Sequence, residues 1–250
     1  MNSVEEMRSR LTTDIQWFYQ QSWHEEAIQA LAKERKLKPE TLSSAGAFFI
    51  PDDVPNMIVP EYLKTYGYGL WFKDKFNFAG RLVYPVRDSR NLVMGFCAWD
   101  RDRLPKYLDS HTYGYKAKAS TFYGQEMLPL YYTLQDPVFV HEGIVDTLWI
   151  REQGLCGLAA LTSSLSNYQK VILSRMGRRV VIVADNDKAG DEFVNRALRM
   201  LPKAQVIQPA LAKDTDEMRQ LDNISITEIT KELQEMSNPL VPLTYYIRRR

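Results

Sequence analysis

The chain has 250 residues, of which 45% are hydrophobic and 25% charged, and its formal net charge is +1. These values are typical of a folded globular protein with one large domain or two small ones, and they argue against a disordered chain. No window approaches the ~18 uninterrupted apolar residues of a membrane-spanning helix, and no secretory signal is visible, so we expect a cytoplasmic protein without a membrane partner. The two cysteines and three histidines lack zinc-type spacing, which argues against zinc in this chain.

Residues 1–45 have helical patterns. Ser22 and Glu25 form a possible capping box for the helix that contains AIQALAKERKL, and Pro39 and Gly46 are placed to begin and end a second, short helix. Residues 50–80 are rich in proline, glycine and aromatic side chains, and we predict irregular packing segments there.

The middle of the chain predicts an antiparallel hairpin followed by a long structured loop. RLVYPV and NLVMGFCAW are β-prone runs separated by the polar turn RDSR. From Lys73 to Lys118 there are ten basic and five acidic residues, whereas residues 1–60 contain six basic and nine acidic ones. A local basic surplus of this kind can attract a polyanion although the whole chain is nearly neutral.

From Pro137 onward, strands and helices alternate. The predicted strands are PVFVHEG, LCGLAAL, RRVVIVADND and AQVIQPA, and the predicted helices are IVDTLWIREQG, SNYQKVILSRMG and AGDEFVNRALRML. Short connections between alternating elements predict a mostly parallel sheet with helices on both faces. The fold class is therefore α/β, with a helical and mixed α+β part before the sheet. A weak helix and a basic tail, YYIRRR, end the chain.

Acidic residues follow the predicted strands at the edge where parallel α/β sheets bind ligands. Glu142 follows the first strand, with Asp146 one helical turn later, and Asp185 and Asp187 follow the third strand. A further acidic cluster, Lys213-Asp214-Thr215-Asp216-Glu217, follows the fourth strand. Clustered carboxylates repel one another, and a hard divalent cation would relieve the repulsion. Mg²⁺, or Mn²⁺ in its place, prefers such oxygen ligands and could polarise a phosphoryl group.

These acidic blocks resemble the TOPRIM domain of topoisomerases, primases and related nucleases. HEGIVD is similar to the family's EGxxD block, and VADNDKAGDE is similar to its DxD block. The resemblance implies that Glu142, Asp185 and Asp187 are catalytic and hold magnesium. KDTDE resembles the DPD block of the primase version, with threonine in place of proline, which implies that Asp214 and Asp216 are further metal ligands. Asp146, one helical turn after Glu142, is predicted to assist them.

The upstream half resembles bacterial replicative primases of the DnaG type. GRLVYPVRDSRNLVMGF, LPKYLDS and YKAKASTFYG are similar to that family's GRIIFPIRDRRGRVIAFGGR, KPKYLNS and FHKGRELYG blocks, and the likeness extends over about residues 25–220. It implies an RNA primase core that uses ribonucleoside triphosphates on a single-stranded DNA template, with a replicative helicase or a separate zinc-ribbon module as possible partners. The residues implied to bind nucleotide or template are Arg81, Arg87, Arg90, Lys106, Tyr107, Ser110 and Lys118.

Several departures from the family pattern keep alternatives open. Asp109 stands where the family has asparagine, the GGR after the hairpin is replaced by Cys97-Ala98-Trp99, and the zinc ribbon is absent. Such trimming suggests a phage or mobile-element enzyme or an excised core. A TOPRIM-type nuclease and a non-catalytic nucleic-acid-binding module remain the alternatives. We expect three segments: a primase-like subdomain at 1–135, the TOPRIM metal-binding domain at 136–222, and a C-terminal helix and tail at 223–250.

Overall fold

The computed structural model of the chain describes residues 3–100, 102–110, 117–128, 137–208, 213, 214 and 217. The chain divides into two compact units, residues 1–120 and residues 121–250. The finer division at residues 135 and 222 stays a prediction, because both boundaries lie outside the described residues.

The first unit is mixed α+β. Its helices are α1 (Val4–Asp14), α2 (Gln16–Tyr19), α3 (Ser22–Glu34), α4 (Pro39–Ser44) and α5 (Ala117–Ser120). Its strands are β1 (Phe48–Ile50), β2 (Trp71–Phe72), β3 (Lys75–Phe76), β4 (Arg81–Arg87), β5 (Val93–Trp99) and β6 (Tyr107–Asp109). Short 3-10 helices lie at Asn56–Ile58, Glu61–Lys64 and Tyr66–Tyr68. The predicted helical start of the chain and the short helix from Pro39 are confirmed.

An antiparallel four-stranded sheet organises this unit, with strand order β1-β4-β5-β6. The predicted hairpin is formed by β4 and β5, and a bulge lies between Val86 and Arg87. Asp88 closes the turn, because its Oδ1 accepts hydrogen bonds from the backbone N–H of Arg90 at 2.9 Å and of Leu92 at 3.1 Å. Asn91 in this turn has a positive φ of 65°, which asparagine tolerates better than most residues.

Aromatic rings fill the space between the N-terminal helices and this sheet. Phe18 of α2 stacks on Phe48 of β1 with ring centroids 4.3 Å apart, and Phe48 meets Phe96 of β5 edge-on at 6.0 Å. All three rings are at most 1% exposed. Burying such rings stabilises a core by several kcal/mol each, of order 1.5–3 from the apolar area alone.

Two local predictions for the first unit were wrong. Helix α3 begins at Ser22 itself, so Gln21 is the N-cap residue and no side chain caps the helix. The capping box of this region lies instead at Ser3 and Glu6, at the start of α1. Residues 50–80 were predicted to be irregular, but they contain the hairpin of β2 and β3 in addition to the 3-10 helices.

The second unit is the predicted parallel α/β layer. Its strands are β7 (Val138–His141), β8 (Cys156–Ala159), β9 (Val180–Val183) and β10 (Gln205–Ile207). Its helices are α6 (Ile144–Glu152), α7 (Asn167–Arg175) and α8 (Lys188–Met200), and a 3-10 helix lies at Gln125–Met127. The strand order is β10-β9-β7-β8, and all three pairings between these strands are parallel.

Helices cover both faces of this sheet. Val140, Leu158 and Ile182 point to the face where the core contains Leu173 of α7 and Phe193 of α8. Side chains alternate along a strand, so Gly157 faces the other way. A Cβ on this glycine would lie 2.9 Å from the Thr147 carbonyl oxygen of α6, so α6 packs closely on that second face.

No helix among the described residues is both long enough and apolar enough to span a membrane.

Candidate functional site

The first acidic segment of the site connects β7 to α6. Glu142 is the residue after β7, and Gly143 is the N-cap of α6. Asp146 lies in the first turn of α6, and its Oδ2 would be 3.0 Å from a Cβ placed on Gly143. The Asp146 carboxylate therefore folds back over the β7–α6 connection. A negative charge at a helix N-terminus is favourable, and here it adds to the charge at the strand end.

The second acidic segment connects β9 to α8, the neighbouring strand and its helix. Asp187 is the N-cap of α8, and its Oδ1 accepts a hydrogen bond from the Gly190 backbone N–H at 2.9 Å. A Cβ on Gly190 would collide with the backbone of Asp185. Glycine at position 190 therefore allows the chain to turn tightly enough to present both Asp185 and Asp187 at the strand end.

The third acidic segment lies beside the second. The Asn186 backbone N–H donates to the Lys213 carbonyl oxygen at 2.5 Å, and the Lys213 N–H donates to Glu217 Oε2 at 2.5 Å. The Glu217 N–H in turn donates to Asp214 Oδ1 at 2.6 Å. Asp216, the sixth predicted metal ligand, lies outside the described residues.

Glu142 and Asp185 have strongly perturbed acidities. Burial raises the pKa of Glu142 to about 7, with further contributions from the negative charges of Asp185, Asp187 and Asp146. Burial also raises the pKa of Asp185 to about 6, with the charge of Asp214 as the next cause. The predicted carboxylates are thus close enough to repel one another, as the sequence led us to expect.

The pKa values of Asp187 and Lys213 shift in the direction that favours the ionised forms of these side chains. The hydrogen bond from Gly190 lowers the pKa of Asp187 below its ordinary value. Burial alone would lower the pKa of Lys213, but attraction to Asp185, Asp187 and Asp214 outweighs it and raises this pKa. The Lys213 Nζ lies 3.7 Å from Asp185 Oδ2 and 3.5 Å from Asp187 Oδ2.

The carboxylate oxygens of this site are ligands that suit a hard divalent cation. Glu142 Oε1 is buried and has no hydrogen-bond partner in the described part of the chain. An unpartnered buried carboxylate oxygen is costly, and a cation would satisfy it. Within the described ranges, however, no three His, Cys, Asp or Glu side chains form a group that could hold a metal ion as they stand.

The donor set also separates magnesium from zinc. The candidate ligands are all carboxylates, which suit Mg²⁺ or Mn²⁺, whereas zinc sites use cysteine and histidine. Cys97 and Cys156 are both buried, and no disulfide joins them. His141 is only 2% exposed, and burial lowers its pKa to about 3, so its imidazole is neutral at physiological pH.

The predicted nucleotide- or template-binding residues lie in or beside the sheet of the first unit, but several are occupied by internal contacts. Arg81 is 5% exposed, and its Nη1 donates to the Lys106 carbonyl oxygen at 3.1 Å. Ser110 is 8% exposed, and its Oγ accepts from the Phe96 N–H at 3.0 Å. Arg90 is paired with Glu5 at 2.6 Å and with Asp88 at 3.2 Å. These contacts stabilise the unit, and binding roles for the three residues stay predictions.

The remaining members of that set are Arg87, Lys106, Tyr107 and Lys118. Arg87 donates from Nη1 to the Asn91 carbonyl oxygen at 3.1 Å and lies beside the Tyr19 hydroxyl. Lys106 is exposed, and Tyr107, on the edge strand β6, is 40% exposed. Lys118 lies in α5, but its side chain is outside the described part of the structure. Exposed cationic and aromatic side chains on a sheet edge suit contacts with an unpaired nucleic-acid strand.

Three features of the two units were missed in the sequence. Lys213 was noted only as part of an acidic cluster, although it forms the ion pairs with Asp185 and Asp187; a lysine that directly precedes clustered acids was the available signal.

The other two features are Arg103 and Leu161. Arg103 holds the loop before β6 in place, since it pairs with Asp52 at 2.6 Å and donates to the Ala79 carbonyl oxygen at 3.0 Å. Leu161 has a φ of 62°, and its N–H donates to the Glu142 carbonyl oxygen at 3.2 Å. Nothing in the local sequence marks that conformation.

Comparison with known proteins agrees with this architecture. Residues 139–219 match the Toprim-like family model, which covers Glu142, Asp185 and Asp187. The chain is 27% identical over 202 residues to the DNA primase of Clostridium acetobutylicum, which covers 74% of this chain and 33% of that protein. The matched segments span between 21% and 33% of the first curated relatives, all of which are DNA primases.

Solved structures extend the likeness to nearly the whole chain. The RNA polymerase domain of the Mycobacterium tuberculosis primase DnaG superposes with a TM-score of 0.73 at 18% identity, covering 97% of this chain and 86% of that one. A DnaG primase catalytic domain bound to single-stranded DNA superposes with a TM-score of 0.72 at 21% identity, covering 93% of this chain and 80% of that one. The chain has the fold of a DnaG-type primase catalytic core. Within this primase-core fold, residues 139–219 are the part that matches the Toprim-like model, and the three acidic segments lie at or close to the carboxyl ends of the strands there.

Proposed function

We propose that the chain is the catalytic core of a DNA primase, which synthesises short RNA primers on single-stranded DNA by magnesium-dependent nucleotidyl transfer. The observation that carries the proposal is the convergence of Glu142, Asp185 and Asp187 in a Toprim-like domain, with perturbed acidities and an unpartnered carboxylate oxygen. The first unit, with its basic surplus and its likeness to primase cores, supports a nucleic-acid template as the partner. Such an enzyme would act in the cytoplasm of a bacterium or a phage-infected cell, where a helicase or a zinc-ribbon module could assist it.

In the proposed reaction, the 3′-hydroxyl of a bound nucleotide attacks the α-phosphate of a ribonucleoside triphosphate in line, and pyrophosphate leaves. Glu142, Asp185 and Asp187 would hold one Mg²⁺, and Asp146, Asp214 and Asp216 would assist a second. Magnesium would polarise the phosphoryl oxygens and neutralise charge on the attacking and leaving groups. The protein's own contribution is then to position the reactants and to bring the carboxylates together at the strand ends.

The basic residues of the first unit would bind phosphates of the triphosphate or of the template. Lys106 is exposed and Arg87 is partly exposed, whereas the exposed Arg90 is already paired with Glu5 and Asp88. Arginine can bind a phosphate through two parallel hydrogen bonds, whereas lysine acts as a point charge. Tyr107, half-exposed on the edge strand, would stack on an unpaired base.

Extension of a short RNA annealed to a single-stranded DNA template tests the proposal without requiring initiation. With labelled ribonucleotides and Mg²⁺, we expect the wild-type chain to lengthen the RNA. Glu142→Gln and Asp185→Asn should lower the rate by at least about 100-fold, because each removes charge from the reacting centre. Glu192→Gln is the matched control, since Glu192 is an exposed carboxylate of α8 that is paired with Arg196.

The same assay separates the alternatives. A TOPRIM-type nuclease would shorten the nucleic acid instead of extending it, and Glu142→Gln would abolish the shortening. A non-catalytic binding module would retain the template without any change in its length. The second alternative is favoured by one observation, the absence from the described residues of a carboxylate group already arranged around a metal. Synthesis by the wild-type chain that survives both substitutions would contradict the assignment of the site.

A further inference from the structure

The ammonium group of Lys213 occupies the part of the site where positive charge is needed. Its Nζ lies 3.7 Å from Asp185 Oδ2 and 3.5 Å from Asp187 Oδ2, so it bridges the two carboxylates that follow β9. Glu142 and Asp185 are also stabilised in their charged forms by this ammonium, since its attraction opposes the rise in both pKa values. Without a metal ion, Lys213 is therefore a counterion of the cluster.

One ammonium group does not neutralise the cluster. Five carboxylates act on one another here, those of Glu142, Asp146, Asp185, Asp187 and Asp214. The pKa of Glu142 remains raised to about 7 although Lys213 is present. A divalent cation carries twice the charge and approaches carboxylate oxygen to about 2.0–2.1 Å for Mg²⁺, well inside the lysine distances. The cation and the ammonium compete for the same oxygens, and the cation has the stronger interaction.

The backbone around Lys213 is fastened independently of its side chain. The Lys213 carbonyl oxygen accepts from Asn186, and its N–H donates to Glu217. The side chain itself is 56% exposed. A flexible four-carbon stem on an anchored backbone lets the ammonium leave the carboxylates while staying within a side-chain length of them.

We propose that Lys213 exchanges partners during binding: a divalent cation displaces its ammonium from Asp185 and Asp187, and the displaced ammonium then contacts a phosphate of the nucleotide. This inference rests on the proposed function, because it takes the acidic cluster as the metal site. Lys213 is then a positioning residue with two opposite effects: it weakens binding of the metal and strengthens binding of the nucleotide.

The first effect is competition with the metal. In Lys213→Ala the competing charge is gone while the backbone contacts remain, so we expect Mn²⁺ to bind about tenfold more tightly, as measured by calorimetry and by the electron paramagnetic resonance of the free ion. Lys213→Arg keeps the charge and should stay within about threefold of wild type. Lys170→Ala, which removes an exposed lysine from α7, is the control for a change in net charge.

The second effect concerns phosphate. At saturating Mg²⁺, Lys213→Ala should bind a non-reactive ATP analogue with a methylene α,β bridge several-fold more weakly than wild type, whereas Lys170→Ala should not change. A merely structural role for Lys213 would weaken both metal and nucleotide binding, so tighter metal binding together with weaker nucleotide binding is the distinctive result.

The outcomes separate this inference from the proposed function. Wild-type protein that binds Mn²⁺, with binding lost in Glu142→Gln, establishes the metal site by a measurement independent of activity. If Lys213→Ala then binds Mn²⁺ no more tightly, or binds the analogue as well as wild type, the exchange of partners is wrong and the metal site stands. If the wild-type protein binds no Mn²⁺, the metal site of the proposed function is itself wrong.

Discussion

Glu142 combines two properties that are unfavourable for a carboxylate in a protein without metal. One of its oxygens is buried without a hydrogen-bond partner in the described part of the chain, and neighbouring carboxylates act together with burial to raise its pKa to about 7. At neutral pH this side chain is therefore close to half protonated. A divalent cation has to replace that proton, so metal affinity and folding stability are both linked to pH.

The pH dependence of stability follows from the direction of these shifts. Because the pKa of Glu142 is higher in the folded chain than in the unfolded chain, its contribution to stability is fully present below about pH 4.5 and is lost as the pH rises through about 7. With a chelator present, we expect the melting temperature of wild type to fall relative to that of Glu142→Gln between pH 5 and pH 8. Adding Mg²⁺ at pH 8 should restore it in the wild type alone. Parallel pH profiles for the two proteins would contradict the assignment.

Gly190 is required by sterics rather than by charge. A Cβ at this position would collide with the Asp185 backbone, which cannot move without displacing the strand end. We expect Gly190→Ala to destabilise the second unit by about 1–3 kcal/mol, as overpacking does elsewhere, and to weaken Mn²⁺ binding, because the turn that presents both aspartates is distorted. Urea unfolding and metal titration measure the two effects. Ala189→Ser, at the exposed neighbouring position, should change neither, and wild-type metal affinity in Gly190→Ala would refute this role for the glycine.

At the scale of single elements, the start of α7 is fastened by one buried glutamine. Gln169 is fully buried, and its Oε1 accepts from the Ser166 N–H at 2.9 Å in a reciprocal capping box. Its Nε2 donates to the carbonyl oxygens of Thr121 at 2.9 Å and of Ala160 at 3.0 Å. The same side chain therefore caps a helix and holds two connecting segments, one of which follows β8.

Removing this amide should be costly. Gln169→Ala removes the amide donor of the Thr121 carbonyl oxygen, leaves the Ala160 carbonyl oxygen with only the longer hydrogen bond from Thr162, and removes half of the capping box. We therefore expect a loss of about 2–4 kcal/mol in the free energy of unfolding of the second unit. Guanidinium unfolding followed by circular dichroism gives the value. Lys170→Ala, one residue further along on the exposed side of α7, should cost less than about 0.5 kcal/mol. Equal losses of unfolding free energy in the two variants would show that the hydrogen bonds of the Gln169 amide do not stabilise the second unit.

The elements that could be predicted are those with a strong local pattern. Strands such as VVIV at 180–183 are continuous apolar runs between polar connections, and such runs identify a buried parallel strand without knowledge of its neighbours. The hairpin of β4 and β5 was equally clear, because RDSR separates two β-prone runs. The short strands β1, β2 and β3 were missed, since two or three residues carry no measurable period and depend on partners distant in sequence.

The site could be predicted only as far as strand ends determine it. Glu142 directly follows β7, and Asp185 and Asp187 lie in the short connection after β9, so the topology alone brought them together. The partners of Lys213 and the burial of Arg81 depend on side-chain packing between segments far apart in sequence. A lysine before clustered acids indicates an ion pair but does not identify its partners, and no local signal shows that Arg81 is buried. The prediction of a capping box at Ser22 was wrong for a smaller reason: the helix starts at Ser22, one residue earlier than predicted, so Gln21 takes the N-cap position.

At the scale of the molecule, the near-neutral chain separates its charges by position. The ten basic residues between Lys73 and Lys118 belong to the first unit, and the acidic cluster belongs to the second. Much of that basic surplus is already engaged, because Arg90 and Arg103 are in ion pairs and Arg81 is buried against a carbonyl oxygen. Formal charge counted along the sequence therefore overstates the charge that phosphates can reach.

The salt dependence of template binding measures how many of these ten basic residues contact phosphates. If all ten basic residues contacted phosphates, the slope of log affinity against log salt would be about −7 for a single strand, at roughly −0.7 per contact. With Arg81, Arg90 and Arg103 held by internal contacts, at most seven remain, and we expect a slope no steeper than about −5. Fluorescence anisotropy with a labelled single-stranded DNA between 50 and about 300 mM salt gives the slope.

Two matched substitutions decide which cations contribute to that slope. Lys106→Ala removes an exposed lysine beside the edge strand and should flatten the slope by about 0.7, whereas Arg90→Ala removes a cation that Glu5 and Asp88 already neutralise and should leave the slope nearly unchanged. The reasoning is that a neutralised arginine displaces few counterions from the nucleic acid. If Arg90→Ala flattened the slope as much as Lys106→Ala, phosphate would have to displace Glu5 and Asp88 from Arg90. That result would support the sequence-based prediction that Arg90 binds nucleotide or template, and it would contradict the expectation drawn from its ion pairs.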